Sequence, residues 1–295
     1  MYQKVLFPTD FSLPSQRITE CIGQIPGIRE VVLLHVVDAR SPSKTGTGSG
    51  EEIEHVKDLM TQNEKIIENF GLAVQTNVDV MEKTVDTGTI GSRILKTADK
   101  ENVSMIIMGA RGKSLHDLFL GSVSTYVLHH ASVPLLLVKS PHAGVMPSSE
   151  NIPNNRPFFS RILIPTDFSA HSADIIRFVK ATQGVDTVIL LHVVHAETND
   201  SGHTEYINNV TMKLGAIRDE LTQSGFTVRD YIRAGYPPDE INLLAEEEHA
   251  TLIAISPRGE GWLRGLKELL IGSTTYAVVR RADRPVLVVR SVKKT

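Results

Sequence analysis

Short apolar runs alternate with longer amphipathic segments along the chain, and the alternation occurs twice. Runs rich in β-branched residues and continuously apolar are typical of strands covered on both faces of a sheet. In the first half these predicted strands are Lys4–Phe7, Glu30–Val37, Ala73–Met81, Ser104–Met108 and Val133–Val138. Ala73–Met81 alternates apolar and polar positions instead, which predicts a strand at the edge of the sheet.

Apolar residues three and four positions apart predict helices between these runs, at Glu51–Phe70, Thr89–Lys100 and Ser122–His130. The second half follows the same order, with strands near 161–165, 187–194, 226–233, 251–255 and 285–289. This order predicts an α/β fold of two tandem doubly wound (Rossmann-like) domains. Each would be a five-stranded parallel sheet flanked by helices, with a ligand crevice at the carboxyl ends of its strands.

Internal duplication explains the two rounds of alternation. KVLFPTDFS at Lys4–Ser12 returns as RILIPTDFS at Arg161–Ser169, and the segment Gly121–Ser140 returns as Gly272–Ser291. Between the copies lies a stretch rich in Pro, Ser and Asn without periodicity. We therefore expect a first domain at 1–140, a linker at 141–157 and a second domain at 158–295, with Ser41–Gly50 forming a loop in the first.

Composition narrows the classes of function. The 295 residues contain 31 Lys and Arg against 34 Asp and Glu, a net charge of −3, which disfavours a broad nucleic-acid surface. No apolar run approaches the roughly 20 residues that span a bilayer, and the first residues show no signal-peptide pattern. The single cysteine excludes a disulfide framework. We expect a cytoplasmic protein without nucleic-acid or membrane partners.

The end of the first predicted strand carries the first candidate site, Pro8-Thr9-Asp10 with Ser12. Proline ends a strand because it lacks an N–H group, which leaves Asp10 at the rim of the sheet. Its carboxylate could accept a hydrogen bond from an adenine amino group or a ribose hydroxyl. Alternatively, Asp10 or Ser12 caps the helix that begins near Leu13, and the two roles are compatible.

A second candidate site follows the fourth predicted strand, where Gly109-Ala-Arg111-Gly112 is followed, after eight residues, by Gly121-Ser122-Val123-Ser124. A helix beginning at Ser122 would offer free N–H groups and a partial positive charge to a phosphate. Arg111 could screen phosphate charge, and the two serines add hydroxyl groups. The alternative is a tight turn followed by a capped helix without a ligand.

Taken together and in this order, the segments PTDFS, LLHVVD, IIMGARGKS and GSVSTYVLHHASVPLLLVK resemble the universal stress protein family over nearly all of both copies. The resemblance implies an adenine nucleotide alpha hydrolase-like fold. It also implies that ATP or AMP binds where Gly109, Gly112, Gly121 and Ser122 match the family's phosphate motif, here with eight residues in the spacer rather than nine.

The resemblance also assigns roles to residues of the first copy. It places Asp10 at the adenine, in a pocket shaped by Pro8 and Thr9. It implies that the backbone of Val36 contacts the base and that Met108 and Gly109 lie beside the ribose. The phosphates would be held by Gly112, Gly121, Ser122, Val123 and Ser124.

The second copy departs further from the family motif. Pro165, Asp167 and Val193 match, but Ser256 and Pro257 stand where the first copy has Gly109 and Ala110. Twelve residues separate Gly259 from Gly272 and Ser273. These positions, Pro165, Asp167, Val193, Gly259, Gly272 and Ser273, are weaker candidates for a nucleotide site.

Three functions remain open. The protein could be a stress-response binding or signalling module that holds ATP or AMP, with Mg²⁺ accompanying ATP and an unidentified protein partner. It could instead be a slow ATPase or autokinase using Ser122 or Ser124, or a structural protein that binds no nucleotide. The apolar last strands, Leu135–Val138 and Val286–Val289, predict an intramolecular pseudo-dimer through strand pairing, and a homodimer is a further option.

Overall fold

The computed structural model describes residues 2–39, 49–81, 88–110, 120–139, 158–194, 202–258 and 271–290. The chain divides into two compact units, a first unit at Met1–Ser140 and a second unit at Pro141–Thr295. Most of the predicted loop at Ser41–Gly50 and all of the predicted linker lie outside the described residues, as do the candidate site residues Arg111, Gly112 and Gly259.

The first unit contains five strands and four helices in its described part. The strands are β1 (Lys4–Pro8), β2 (Glu30–Asp38), β3 (Ala73–Met81), β4 (Met105–Gly109) and β5 (Leu135–Val138). The helices are α1 (Leu13–Cys21), α2 (Ser49–Glu68), α3 (Ile90–Lys100) and α4 (Ser122–His130), and a 3₁₀ turn at Ile22–Gln24 follows α1.

The second unit repeats this order. Its strands are β6 (Arg161–Pro165), β7 (Thr187–Val194), β8 (Thr227–Ala234), β9 (Leu252–Ile255) and β10 (Val286–Val288). Its helices are α5 (Ala170–Lys180), α6 (Gly202–Gln223), α7 (Pro237–Glu247) and α8 (Ser273–Arg281).

All strand pairs within a unit are parallel, which confirms the predicted fold class. In the first unit the strand order is β3-β2-β1-β4-β5, and in the second it is β8-β7-β6-β9-β10. The chain therefore builds outward from β1 to β3 and then returns to the other side of β1 with β4. Winding reverses between β1 and β4, and between β6 and β9, which opens a crevice at the carboxyl ends of those strands.

Burial follows the predicted hydrophobic pattern. β4 is buried along its whole length, whereas only Met81 of β3 is buried, in agreement with the predicted edge position. β5 begins two residues later than predicted, after Pro134. That proline has no N–H group to give to a ladder, but its carbonyl accepts a hydrogen bond from the Ile106 N–H at 3.0 Å.

Two isoleucines of the first unit provide a test of this core. Ile106 of β4 is fully buried, whereas Ile66 of α2 is 40% exposed. We expect Ile106→Ala to lower the free energy of unfolding by about 2–5 kcal/mol because it leaves a cavity, and Ile66→Ala by less than about 1 kcal/mol. Native-state hydrogen exchange of first-unit amides measures both, and equal losses would contradict the assignment of the core.

Candidate functional site

A cavity of about 300 Å³ opens where the carboxyl ends of β1 and β4 diverge in the first unit. We call it the first cavity. It gathers all ten of the described candidate residues of the first copy: Pro8, Thr9, Asp10, Val36, Met108, Gly109, Gly121, Ser122, Val123 and Ser124.

Pro8 is the last residue of β1, and the loop that follows it is tightly held. The Thr9 N–H donates to the Leu34 carbonyl of β2 at 2.8 Å, and the Phe11 N–H donates to Thr9 Oγ1 at 3.1 Å. Phe11 itself has a φ of +57°, a left-handed conformation that costs a non-glycine residue energy. The loop turns so that Asp10 lines the cavity.

His35 of β2 holds this loop in place through two contacts. Its Nδ1 lies 2.7 Å from the Thr9 carbonyl oxygen, and its ring stacks on Phe11 with centroids 4.6 Å apart. Because a carbonyl only accepts, Nδ1 must carry the ring proton in this arrangement. A histidine inside an apolar strand is expected to be a hydrogen-bonded core residue rather than a catalytic base. The hydrogen bond is present, although the ring is half-buried and lines the cavity.

The Asp10 carboxylate is oriented by three donors that converge on one oxygen. Oδ1 accepts from the Ser12 N–H at 3.1 Å, from the Ser12 hydroxyl at 2.5 Å and from the Ser15 hydroxyl at 2.8 Å. The other oxygen, Oδ2, accepts no hydrogen bond from a described residue. The predicted capping role is thereby corrected: Ser12 is the N-cap residue of α1, but its side chain bonds Asp10 instead of the helix backbone.

The opposite side of the cavity is formed by β4 and the start of α4. The Gly121 N–H donates to the Ala110 carbonyl at 3.0 Å, and the first helical bond runs from the Thr125 N–H to the Gly121 carbonyl at 2.8 Å. The N–H groups of Ser122, Val123 and Ser124 precede that bond and have no partner within the helix. They form a donor cluster with the partial positive charge of the helix end.

Ser124 requires a correction. Its hydroxyl was expected to serve a phosphate, but it is buried and donates to the Gly109 carbonyl at 2.9 Å. A serine hydroxyl has one proton, so this proton is committed to fixing α4 against the end of β4. Ser124 can contribute its backbone N–H, and Ser122 is left as the hydroxyl donor.

Five further residues line the first cavity that the sequence did not assign to it: Ser15, Leu34, His35, Ile90 and Ile94. The spacing of Ile90 and Ile94 predicts the apolar face of a helix. A reciprocal hydrogen-bonded cap between Thr89 and Ser92 starts α3 beside the cavity, so its first apolar residues form a cavity wall. Helical spacing predicts an apolar face but not whether that face packs against the sheet or lines a cavity. The orientation of the helix decides this, and the spacing does not give the orientation.

An equivalent cavity of about 340 Å³, the second cavity, opens at the ends of β6 and β9. It gathers the described weaker candidates Pro165, Asp167, Val193, Gly272 and Ser273. Its loop repeats the first: Phe168 has a φ of +62° and stacks on His192, whose Nδ1 lies 2.8 Å from the Thr166 carbonyl oxygen.

The second cavity differs at the end of the fourth strand of its unit. Ser256 donates its hydroxyl to the Arg258 carbonyl at 2.7 Å, and Pro257 cannot donate at all. Thr275 repeats the contact of Ser124, donating to the Ser256 carbonyl at 2.7 Å. The helix start therefore has the same geometry in both units, while the strand end that faces it differs.

Two kinds of feature are absent from the described residues. Within these ranges no three His, Cys, Asp or Glu side chains come together as a metal site would require. None of the described helices combines the length and the apolar character needed to cross a bilayer.

Comparison with known proteins places this architecture. A sequence model described as the universal stress protein family matches residues 1–139 and again residues 158–290. The chain belongs to the universal stress protein family. The two matches correspond to the duplicated halves, and together they include every described residue that lines the two cavities.

Some universal stress proteins match the whole chain, and others match about half of it. A universal stress protein from Archaeoglobus fulgidus has a crystal structure with a TM-score of 0.72 and 26% identity, covering 98% of this chain and 99% of that one. Those of Methanocaldococcus jannaschii and Methanothermobacter thermautotrophicus are 32% and 34% identical. They match 45% and 48% of this chain over 95% and 97% of their own length.

The contribution of His35 to the Asp10 loop can be tested by His35→Phe. This change keeps a ring against Phe11 but leaves the Thr9 carbonyl without its donor. We expect a loss of about 1 kcal/mol in stability and faster amide exchange at Phe11 and Ser12. His130→Phe is the matched control, because His130 makes the same kind of contacts with Tyr126, a 2.8 Å bond to its carbonyl and a ring stack, on the exposed face of α4. Unchanged amide exchange at Phe11 and Ser12 in His35→Phe would contradict a role of His35 in holding the loop.

Proposed function

We propose that this universal stress protein binds an adenine nucleotide, ATP or AMP, in the first cavity and acts as a binding or signalling module in the stress response. One observation carries the proposal. A single cavity contains a carboxylate oxygen without a donor among the described residues and, on its other side, the N–H groups of a helix start that have no partner within the helix. Such a cavity offers an acceptor to a base or sugar and donors to a phosphate.

The base end of the proposed site combines Asp10 with the backbone of β2. β1 pairs with β2 only as far as Leu34, whereas β2 continues to Asp38. Peptide groups of alternate residues point to the same side of a strand, so Val36 turns its N–H and carbonyl toward the side on which β1 has ended. These groups are suited to the edge of a purine, and Oδ2 of Asp10 to an amino or hydroxyl donor.

The phosphate end is the start of α4. Three backbone N–H groups, the Ser122 hydroxyl and the helix dipole favour an anion there, and no acidic residue occupies the first turn of α4. From their sequence positions we also assign Arg111 and Gly112, which lie outside the described residues, to the proposed phosphate site, and Mg²⁺ would accompany ATP. The second cavity has a similar helix start, and we propose it as a weaker nucleotide site because Ser256 adds a side chain where Gly109 lets a ligand approach the backbone in the first cavity.

Ser122→Asp separates binding from stability. An added negative charge at the first turn of α4 favours the helix by about 0.3–1 kcal/mol, but it repels a phosphate. We expect ATP affinity to fall more than tenfold while thermal stability stays the same or rises, with calorimetry and thermal unfolding as the measurements. The uncharged Ser122→Asn should retain most of the affinity, and equal affinities for the two variants would contradict a phosphate at this helix.

Direct binding is tested by releasing any co-purified ligand for mass spectrometry and by titrating ATP with Mg²⁺. We expect an adenine nucleotide, and at least a tenfold weaker affinity in Asp10→Ala, because hydrogen bonds to charged groups contribute about 1.5–3 kcal/mol. Asp167→Ala, the same change in the second unit, reports whether a second nucleotide binds there. Absence of binding under all conditions would leave the non-nucleotide function standing.

A further inference from the structure

We propose that Ser15 is a specificity-determining residue that, by fixing the Asp10 carboxylate, makes the first cavity select purines with a 6-amino group over purines with a 6-oxo group. The inference rests on the proposed function, since it presupposes a purine at Asp10. It goes further by assigning base selectivity to a buried serine through its hydrogen bond to Asp10.

The need for such a residue follows from the aspartate side chain. The torsion that rotates a carboxylate about its Cβ–Cγ bond has a broad energy profile, so the side chain alone does not aim its oxygens. Ser15 lies in the first turn of α1 and is only 3% exposed, and its hydroxyl reaches Oδ1 at 2.8 Å. A donor fixed on a helix therefore holds one oxygen in place and leaves Oδ2 for the ligand.

The same contact occurs in the second unit. Ser172, in the first turn of α5, donates its hydroxyl to Asp167 Oδ1, and the Ser169 N–H donates to the same oxygen at 3.1 Å. The Ser169 side chain instead accepts from the Ser172 N–H and caps α5. The helix serine thus donates its hydroxyl to the carboxylate in both units, whereas the loop serine caps the helix in the second.

Selectivity follows from the donors and acceptors of the two bases. An ionised carboxylate only accepts, so a fixed Oδ2 favours the 6-amino group of adenine and opposes the 6-oxo oxygen of hypoxanthine. A carboxylate held by fewer donors could turn more readily from that oxygen to the neighbouring N1–H donor. Loss of the Ser15 hydroxyl should therefore weaken the discrimination against inosine triphosphate more than it weakens the fold.

The experiment measures the dissociation constants of ATP and of inosine triphosphate, each with Mg²⁺, by calorimetry on the full chain. All variants carry Asp167→Ala, so that the second cavity cannot contribute the same contact. We expect the parent, which carries Asp167→Ala alone, to bind ATP at least tenfold more tightly than inosine triphosphate. Ser15→Ala should reduce this ratio roughly fivefold, the equilibrium effect of one hydrogen bond.

Ser104→Ala is the matched control. The Ser104 hydroxyl also makes a 2.8 Å hydrogen bond within the first unit, to the Lys4 carbonyl, but it lies at the amino end of β4, away from the cavity. Its ratio should equal that of the parent. Ser12→Ala removes the other hydroxyl from Oδ1 and should also lower the ratio, which keeps the test available if Ser15→Ala does not fold.

The outcomes separate this inference from the proposed function. A parent that binds no ATP overturns both. A parent that binds both nucleotides equally well, or a Ser15→Ala variant that weakens both by the same factor, overturns the selectivity role alone and leaves nucleotide binding intact. If Ser104→Ala lowers the ratio as much as Ser15→Ala does, the effect is a general one of stability, and the selectivity role is also overturned.

Discussion

β1 ends at Pro8 while its neighbour β2 continues for four residues beyond Leu34, and the first cavity depends on this difference in length. Proline stops the strand because it cannot donate to the ladder, and the Thr9 N–H closes the last bond to β2. On the other side, β4 joins β1 with reversed winding, so that none of the described strands of this unit fills the gap. Val36 and the Asp10 carboxylate both line this opening. The peptide groups of Val36 face it because β1 pairs with β2 only as far as Leu34.

A strained loop is kept at that opening in both units. Phe11 and Phe168 adopt left-handed conformations, each costing on the order of 1–2 kcal/mol, and each is stacked on a histidine of the neighbouring strand. A more relaxed turn would release this strain but would lose the aim of the aspartate that precedes it. The same conformation and the same ring stack in both units indicate that the position of the carboxylate is what the loop maintains.

Much of the fold was predictable, because strand burial and helix spacing are local properties of sequence. The edge position of β3 and the start of α4 at Ser122 follow from alternation and from a glycine before an amphipathic segment. The partners of hydroxyl groups were not predictable in this way. Ser15 and Ser124 both appear as small polar residues in helices, and only the packing of α1 and α4 against the strand ends decides that one orients Asp10 and the other holds Gly109.

The two units show which parts of the site can change independently. The aspartate loop, its histidine and the start of the last helix recur, whereas the end of β9 carries Ser256 and Pro257 in place of Gly109 and Ala110. In the first unit the Ala110 N–H extends the ladder to the Val138 carbonyl at 2.8 Å, a bond that Pro257 cannot make. Since the base end and the helix start are built from other elements, a change at this strand end alters the middle of the cavity alone. In the proposed binding mode Gly109 lies beside the ribose, so the difference between the units falls at the sugar rather than at the base.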